Sequence, residues 1–184
     1  SLHMVSSNAV YPAGFGECRP ELLDALAEGL ETPYGRSKWV LEKALRALEV
    51  PAAVYRLGNI GPHASGAFNT NDTQMQLLAA CERLGVGIDS DTHSIEFTPL
   101  EQVLEVLLRQ DRPEVVNVVN ARRLPLSALG YRRRLPLAAW AARVGEADPV
   151  LARLLLDADH WLLDSNRYPS RTDASDYNKR LAAL

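Results

Sequence analysis

The sequence has few cysteines, few aromatic residues, no excess of positive charge and no long apolar run. Its two cysteines, Cys18 and Cys81, are too few for a disulfide framework and have no Cys or His at metal-ligand spacing. We therefore expect no metal and a reducing cytoplasmic location. The 20 Lys and Arg residues are outnumbered by 23 Asp and Glu residues, which argues against a nucleic-acid partner. No apolar stretch reaches the roughly 18 residues of a transmembrane helix, so no membrane partner is expected.

What the sequence does contain is a 47% hydrophobic content arranged in strand-like and helix-like segments. A strand is predicted over 2–7, a helix from the N-cap Thr32 and Pro33 to about Glu49, and a second strand over 52–57. Strand, helix and strand in this order indicate an α/β chain with a parallel sheet. The remaining predictions are helical segments over 20–30, 72–84, 99–110 and around Trp140 and Leu154, strands over 94–98 and 114–120, and a loop over 58–71.

The helix that begins at Pro33 is predicted to bury one apolar face. Residues at helical spacing are expected to point to the core, namely Val40, Leu41, Ala44, Leu45 and Leu48. Charged residues are expected on the solvent side, namely Glu42, Lys43, Arg46 and Glu49.

Tyr34 and Lys38 have the clearest chemical potential in the sequence. They are four residues apart at the start of a helix, so both project from one face. An ammonium group beside a phenol stabilises the phenolate, which makes the tyrosine a usable proton donor and acceptor. An isolated pair with this spacing is more often an ordinary exposed pair, so the weight of the match depends on its surroundings.

Two predicted strands end in groups that could form a site together with Tyr34 and Lys38. Ser7 ends the first strand, and the loop Leu57–Ile60 follows the second. The carboxyl ends of parallel strands meet at one sheet edge, where α/β proteins bind ligands. Ser6 is a competing hydroxyl, but the alternation of a strand points it to the opposite face. A simple strand-end hydroxyl is the alternative interpretation of Ser7.

Four segments together carry a family resemblance. They are Val5-Ser6-Ser7-Asn8-Ala9-Val10-Tyr11, Tyr34-Gly35-Arg36-Ser37-Lys38-Trp39, Tyr55-Arg56-Leu57-Gly58-Asn59-Ile60 and Ser65-Gly66-Ala67-Phe68-Asn69-Thr70-Asn71-Asp72. The first three resemble the extended short-chain dehydrogenase/reductase superfamily. The fourth is similar to a segment of its thioester reductase domains, which terminate nonribosomal peptide synthetases and occur in carboxylic acid reductases. The resemblance spans roughly 2–144.

The resemblance implies a fold and a set of roles. Residues 1–62 would be the C-terminal half of a Rossmann-like catalytic domain, and 63–184 a mainly helical substrate- or carrier-binding subdomain with some strands returning to the sheet. Tyr34 would be the catalytic proton donor, Lys38 would bind the nicotinamide ribose, and Ser7 would bind the substrate carbonyl. The residues implied to line the nicotinamide are Leu57, Gly58, Asn59 and Ile60, and the substrate-binding candidates are Asn69 and Asp72.

The implied reaction is the NADPH-dependent reduction of a thioester, carried on the phosphopantetheine arm of an acyl or peptidyl carrier protein, to an aldehyde and in some cases an alcohol. The Gly-rich phosphate loop of a dinucleotide-binding half is missing. Gly14-Phe15-Gly16 and Gly85-Val86-Gly87 lack its third glycine and its strand–helix context. Because the sequence also starts inside a predicted core strand, we expect it to be the C-terminal part of a reductase that needs an N-terminal dinucleotide-binding half. An edge strand at a true N-terminus is the alternative interpretation.

Two other functions stay open on the sequence alone. One is a non-catalytic carrier-docking or cyclising remnant of such a domain, and the other is an epimerase or dehydratase acting on nucleotide sugars. A basic run, Arg132-Arg133-Arg134, would suit an acidic, phosphate-bearing carrier protein, although a solvated basic turn is the simpler interpretation.

Overall fold

The computed structural model describes residues 2–30, 32–63, 65–157, 166–169 and 182. It starts with strand β1 (Leu2–Ser7), helix α1 (Pro33–Ala47) and strand β2 (Ala52–Leu57). The elements that follow are α2 (Thr73–Leu84), β3 (Gly87–Ile88), β4 (Ser94–Ile95), α3 (Leu100–Arg109), β5 (Val115–Val118), β6 (Leu124–Pro125), β7 (Arg134–Leu135), α4 (Leu137–Gly145) and α5 (Pro149–Asp157). Three further segments are 3₁₀-helical: Asn8–Val10, Pro20–Gly29 and Leu126–Ala128.

The main sheet has three parallel strands in the order β1-β2-β5. Its register pairs Ser7 with Leu57 and Leu57 with Val118, so the carboxyl ends of all three strands lie at one edge. The predicted α/β class with a parallel sheet is confirmed. Among the described strands, β1 lies at the border of this sheet, and its Leu2 and Val5 side chains are about half exposed.

The chain divides into two compact units. The first contains the residues up to Ile60, Phe97–Ala121 and residues 166–169, and the second contains Gly61–Glu96 and the described residues from Arg122 to Asp157. In the first unit, α3 covers one face of the sheet through an apolar cluster of Ala53, Tyr55, Leu57, Val103, Val116 and Val118. In the second unit, the fully buried Trp140 on α4 donates its indole N–H to the Val86 carbonyl at 2.8 Å.

Local signals in the sequence explain where the helices begin and end. The Thr32 side chain accepts a hydrogen bond from the Gly35 N–H at 3.0 Å, and Pro33 supplies a preset φ at the first helical position. Asp72 caps α2 in the same way, accepting from the Met75 N–H at 2.9 Å. Gly85 ends α2 at a φ of 61°, a left-handed conformation that favours glycine.

The buried face of α1 differs from the prediction. Val40, Leu41 and Leu48 were expected to be buried and are 55%, 51% and 72% exposed, whereas Glu42 was expected in solvent and is only 4% exposed. The cause lies in the sheet, where Arg56 on β2 is fully buried and draws the Glu42 carboxylate inward. Helical periodicity identified the element, but the pairing of two charges decides which side faces the sheet.

Two other predicted elements also differ. The segment over 20–30 is a 3₁₀ helix, interrupted at Leu22, whose φ and ψ of −85° and 20° are not helical; no side chain caps its start at Arg19. The strand predicted over 94–98 is reduced to β4. The Glu96 N–H bonds the Gln74 side chain instead of a neighbouring strand, and the Thr98 N–H bonds the Asn59 carbonyl.

Several features of the described residues bear on location and chemistry. No helix in the described ranges is both long enough and apolar enough to cross a membrane. Cys18 and Cys81 are buried and carry free thiols. Across the same residues, no group of three or more His, Cys, Asp or Glu side chains is arranged to hold a metal ion.

Candidate active site

Ser7 lies where β1 ends, at the edge formed by the carboxyl ends of the parallel strands. Its backbone is extended, with φ −143° and ψ 150°, and its side chain is 8% exposed. The Oγ atom accepts a hydrogen bond from the Ala9 N–H at 3.1 Å, while its only hydrogen-bond acceptor among the described residues is Asn8 Oδ1 at a long 3.4 Å. The Ser7 hydroxyl proton is therefore weakly held. Ser6 turns to the other side, as expected, and bonds Glu42.

Tyr34 and Lys38 occupy the first two turns of α1. The Lys38 Nζ atom lies 5.7 Å from the centroid of the Tyr34 ring and donates a hydrogen bond to the Val5 carbonyl at 3.2 Å. The Tyr34 side chain is 56% exposed. The lysine therefore joins the tyrosine to β1, two residues before Ser7.

Gly35 allows α1 to approach the turn that follows Ser7. A Cβ atom at Gly35 would overlap the backbone carbonyl of Ala9, the residue whose N–H bonds Ser7. Glycine at this position thus lets the first turn of α1 pack directly on the turn after β1, which brings the Tyr34 backbone beside it. The glycine next to Tyr34 is the signal in the sequence that could have indicated this contact.

The loop Leu57–Ile60 extends the sheet edge. Leu57 is buried in the apolar cluster under α3. The Gly58 N–H donates to the Val118 carbonyl at 3.0 Å, and the Asn59 carbonyl accepts from the Thr98 N–H at 2.8 Å. These two bonds hold the loop backbone in a fixed position at the same edge of the sheet as Ser7.

Asn69 and Asp72 belong to the second unit, where each has a local structural role. The Asn69 side chain is exposed and accepts from the Asn71 N–H at 3.0 Å. Asp72 is the N-cap of α2, and burial raises the pKa of its carboxyl although hydrogen bonds from Met75 and Gln74 oppose that change. Their substrate-binding role stays a prediction.

A buried polar network lies beneath α1 and was not predicted from the sequence. Arg56 donates to both carboxylate oxygens of Glu42 and to the Tyr11 hydroxyl, and Tyr11 donates to Asn117 Oδ1 at 3.2 Å. Burial raises the pKa of Tyr11, while Arg56 opposes the change. Burial lowers the pKa of Arg56, but the bonds and charge of Glu42 outweigh it, so the net change is upward. An arginine inside the apolar strand Ala52–Leu57 was the available signal.

The chain is similar in sequence to several known proteins. The NAD-binding family described as male sterility protein matches residues 1–107. An isonitrile lipopeptide synthase from Streptomyces coeruleorubidus is 33% identical over 187 residues, covering 90% of this chain and 13% of the synthase. An aldehyde reductase from Aspergillus flavus is 34% identical over 121 residues, covering 58% of this chain and 11% of that protein.

Solved structures with a similar fold include two reductase domains. The terminal R domain of the myxalamid PKS-NRPS biosynthetic pathway aligns with a TM-score of 0.66 and 27% identity, covering 100% of this chain and 52% of that domain. The reductase domain of a nonribosomal peptide synthetase from Mycobacterium tuberculosis aligns with a TM-score of 0.59 at 21% identity, covering 99% of this chain and 54% of that one, which shows the fold alone. The chain thus spans about half of these reductase domains and a small part of the curated relatives.

Proposed function

Because the chain belongs to the NAD-binding family described as male sterility protein, we propose that it is the catalytic and substrate-side part of a reductase that releases a carrier-bound thioester as an aldehyde. The observation that carries this proposal is the position of Lys38. Its ammonium group contacts both the Tyr34 ring and the Val5 carbonyl, beside the strand end that holds Ser7. A lysine, a tyrosine and a serine at the ligand-binding edge of a parallel sheet suit reduction of a carbonyl.

The chain's own residues have separate tasks in this reaction. The Ser7 and Tyr34 hydroxyls donate hydrogen bonds to the thioester oxygen and stabilise the negative charge that develops there. Tyr34 then gives its proton to that oxygen, and Lys38 stabilises the phenolate that remains. Once the carbonyl carbon also holds a hydride, the resulting thiohemiacetal breaks its carbon–sulfur bond and its hydroxyl proton passes to the departing sulfur, which leaves an aldehyde and the free thiol of the carrier arm.

The donor set fits a nicotinamide cofactor. An ammonium group has three N–H donors, and within the described residues Lys38 uses one of them on Val5. The other donors suit the vicinal hydroxyls of a ribose, and the backbone of Leu57–Ile60 would line the nicotinamide ring. A bound NADPH supplies the hydride for the carbonyl carbon. The choice of NADPH over NADH rests on the family resemblance.

A dinucleotide-binding half is the partner that this proposal requires. Among the described strands, β1 pairs on one side only, and Leu2 and Val5 on it are about half exposed. Val40 and Leu41 on α1 are equally exposed. A further parallel strand and helix would cover these apolar side chains, as in a continued doubly wound sheet.

A carrier protein is the second proposed partner. In the second unit, the side chains of Arg132, Arg133 and Arg134 are exposed in a short segment that leads into β7. Three exposed guanidinium groups suit an acidic helix and the phosphate of a phosphopantetheine arm. These three arginines are accordingly the proposed docking point for the carrier protein.

Tyr34→Phe is the variant that tests the proposed function. In the full-length protein with its dinucleotide-binding half, we expect turnover of a carrier thioester to fall by about 10²–10⁴-fold because the proton donor is lost. Carrier binding should be unchanged. Tyr55→Phe is the matched control, since its hydroxyl bonds His3 and the Leu107 carbonyl in the core.

Three results would count against the proposal. Unchanged turnover in Tyr34→Phe would remove the proton-donor role. Turnover of nucleotide sugars in place of thioesters would favour the epimerase class. Carrier binding without any oxidation of NADPH would favour a docking module that has lost its redox chemistry.

A further inference from the structure

Glu42 continues the row of side chains that contains the proposed catalytic pair. Tyr34, Lys38 and Glu42 follow one another at intervals of four residues along α1. The first two are at least partly accessible, but Glu42 is 4% exposed and takes no part in the proposed proton transfer. A buried carboxylate on the same helix row needs a physical reason, because burial of a charge is costly unless it is fully paired.

Both oxygens of Glu42 are fully engaged. Arg56 Nε donates to each of them at 3.1 Å, and Arg56 Nη2 donates to Oε2 at 2.7 Å. Ser6 Oγ on β1 donates to Oε1 at 2.5 Å. This bidentate arrangement fixes the direction as well as the distance of the carboxylate. Glu42 therefore ties α1 to two strands at once.

The other side of Arg56 extends the same network. Its guanidinium lies 4.9 Å from the centroid of the Tyr11 ring and donates to the Tyr11 hydroxyl. Asn117 on β5 accepts from that hydroxyl and donates to the Cys18 carbonyl at 2.7 Å. Ser6, Arg56 and Asn117 are register neighbours on the three strands. The network thus spans the whole face of the sheet beneath α1.

The register links this network to the proposed site. Glu42 meets the side chain of Ser6, and one turn earlier Lys38 meets the backbone of Val5. A slip of α1 by one residue would move it about 1.5 Å along its axis and rotate it by about 100°, which would break both contacts. The ion pair therefore holds α1 at the position in which Lys38 reaches β1.

We propose that Glu42 and Arg56 are positioning residues, which lock the rotation and register of α1 so that Tyr34 and Lys38 face the end of β1. The proposal rests on the proposed reductase function. It differs from a role in stability alone. Replacement of a buried ion pair by apolar side chains often leaves stability unchanged, whereas removal of one partner leaves an uncompensated charge.

The test compares Glu42→Gln with the double variant Glu42→Met/Arg56→Met in the full-length protein. Because the double variant removes both charges, no uncompensated charge is left and we expect the protein to fold. It therefore remains informative where single variants fail to fold. We expect both variants to lower kcat by about 10²-fold, the effect of a displacement on the order of 1 Å. KM for the carrier thioester should stay within about twofold of wild type, since the second unit is untouched. Glu82→Gln, at an exposed carboxylate on α2, is the matched control.

A second readout does not depend on activity. Nuclear Overhauser contacts between the Lys38 side chain and Val5 on β1, in selectively labelled protein, report the position of α1 on the sheet directly. We expect these contacts to weaken in both variants and to persist in Glu82→Gln. A double variant with unchanged Lys38–Val5 contacts, or with unchanged kcat, would overturn the positioning role. If wild type reduces no thioester, the proposed function fails while the Overhauser contacts still decide the positioning role.

Discussion

Gly35 allows α1 to pack closely against the turn after β1. A Cβ there would overlap the Ala9 carbonyl, and a backbone atom cannot move aside as a flexible side chain can. We expect Gly35→Ala to lower the free energy of unfolding by about 1–3 kcal/mol, the usual effect of overpacking. Turnover should fall as well, because the Ala9 N–H that orients Ser7 is displaced.

Chemical denaturation of Gly35→Ala and of a control variant checks this prediction. Gly145→Ala is the matched control on α4, where a Cβ would meet only the Ala152 side chain at 3.4 Å. That substitution should leave stability unchanged or raise it by about 0.5–1 kcal/mol, the usual gain for alanine over glycine in a helix. Equal stability of the two variants would contradict the close contact between α1 and Ala9.

Because of Cys81, the free energy of unfolding should depend on pH in the alkaline range. Burial raises the pKa of its thiol from 9.0 to about 12, so the folded chain keeps a proton that the unfolded chain loses. The free energy of unfolding should therefore fall as pH rises above about 9, by at most about 1.4 kcal/mol per pH unit from this group. Burial raises the pKa of Tyr131 to about 12 as well, and acts in the same direction at higher pH.

Urea unfolding at a series of pH values between about 8 and 10 measures this effect. Cys81→Ala should show a shallower loss of stability than wild type over that range. It should also remove the alkylation of Cys81 on unfolding and leave that of Cys18, which is likewise a buried free thiol. An identical pH slope in the two proteins would show that Cys81 is not the group responsible.

At the scale of elements, α1 shows that a helix can be recognised from the sequence even where its buried face cannot be predicted. The Thr32 cap, Pro33 and the apolar spacing predicted α1 closely in sequence. They gave the wrong buried face, because Val40, Leu41 and Leu48 are exposed. An apolar face turned away from the sheet is what the proposed dinucleotide-binding half would cover.

Leu41→Glu tests whether that face is covered in the full-length protein. The side chain is exposed in this structure, so the substitution should change the stability of the unit by less than about 0.5 kcal/mol. A charge buried against the partner half would nevertheless weaken NADPH binding and speed amide exchange in β1. Leu108→Glu, at an 83% exposed leucine on α3, is the control that should do neither. Equal NADPH affinity in the two variants would contradict a covered α1 face.

The buried network shows why part of the site escapes prediction. The tyrosine, lysine and serine are each marked by local spacing or by a strand end, so Tyr34, Lys38 and Ser7 are accessible to sequence reasoning. The pairing of Glu42 with Arg56 joins residues on different elements, and nothing in either local pattern specifies it. Arg56 inside an apolar strand was the single sign that a buried charge required a partner.

At the scale of the whole molecule, the chain consists of two compact units. The first contains the parallel sheet and the Ser7, Tyr34 and Lys38 side chains. It also includes β5, which lies far along the sequence but pairs with β2. Such a return to the sheet follows from long-range strand pairing and cannot be assigned from periodicity. The predicted boundary between 62 and 63 stays a prediction.

The most direct measurement of the central claim is the stoichiometry of a single reaction. The full-length protein, supplied with NADPH and a carrier protein loaded with an acyl thioester, should form aldehyde and oxidised nicotinamide in equal amounts. Any alcohol should carry a second equivalent of oxidised nicotinamide, and both products should disappear in Tyr34→Phe. Release of a carboxylic acid without oxidation of NADPH would contradict reductive release by the Ser7, Tyr34 and Lys38 site.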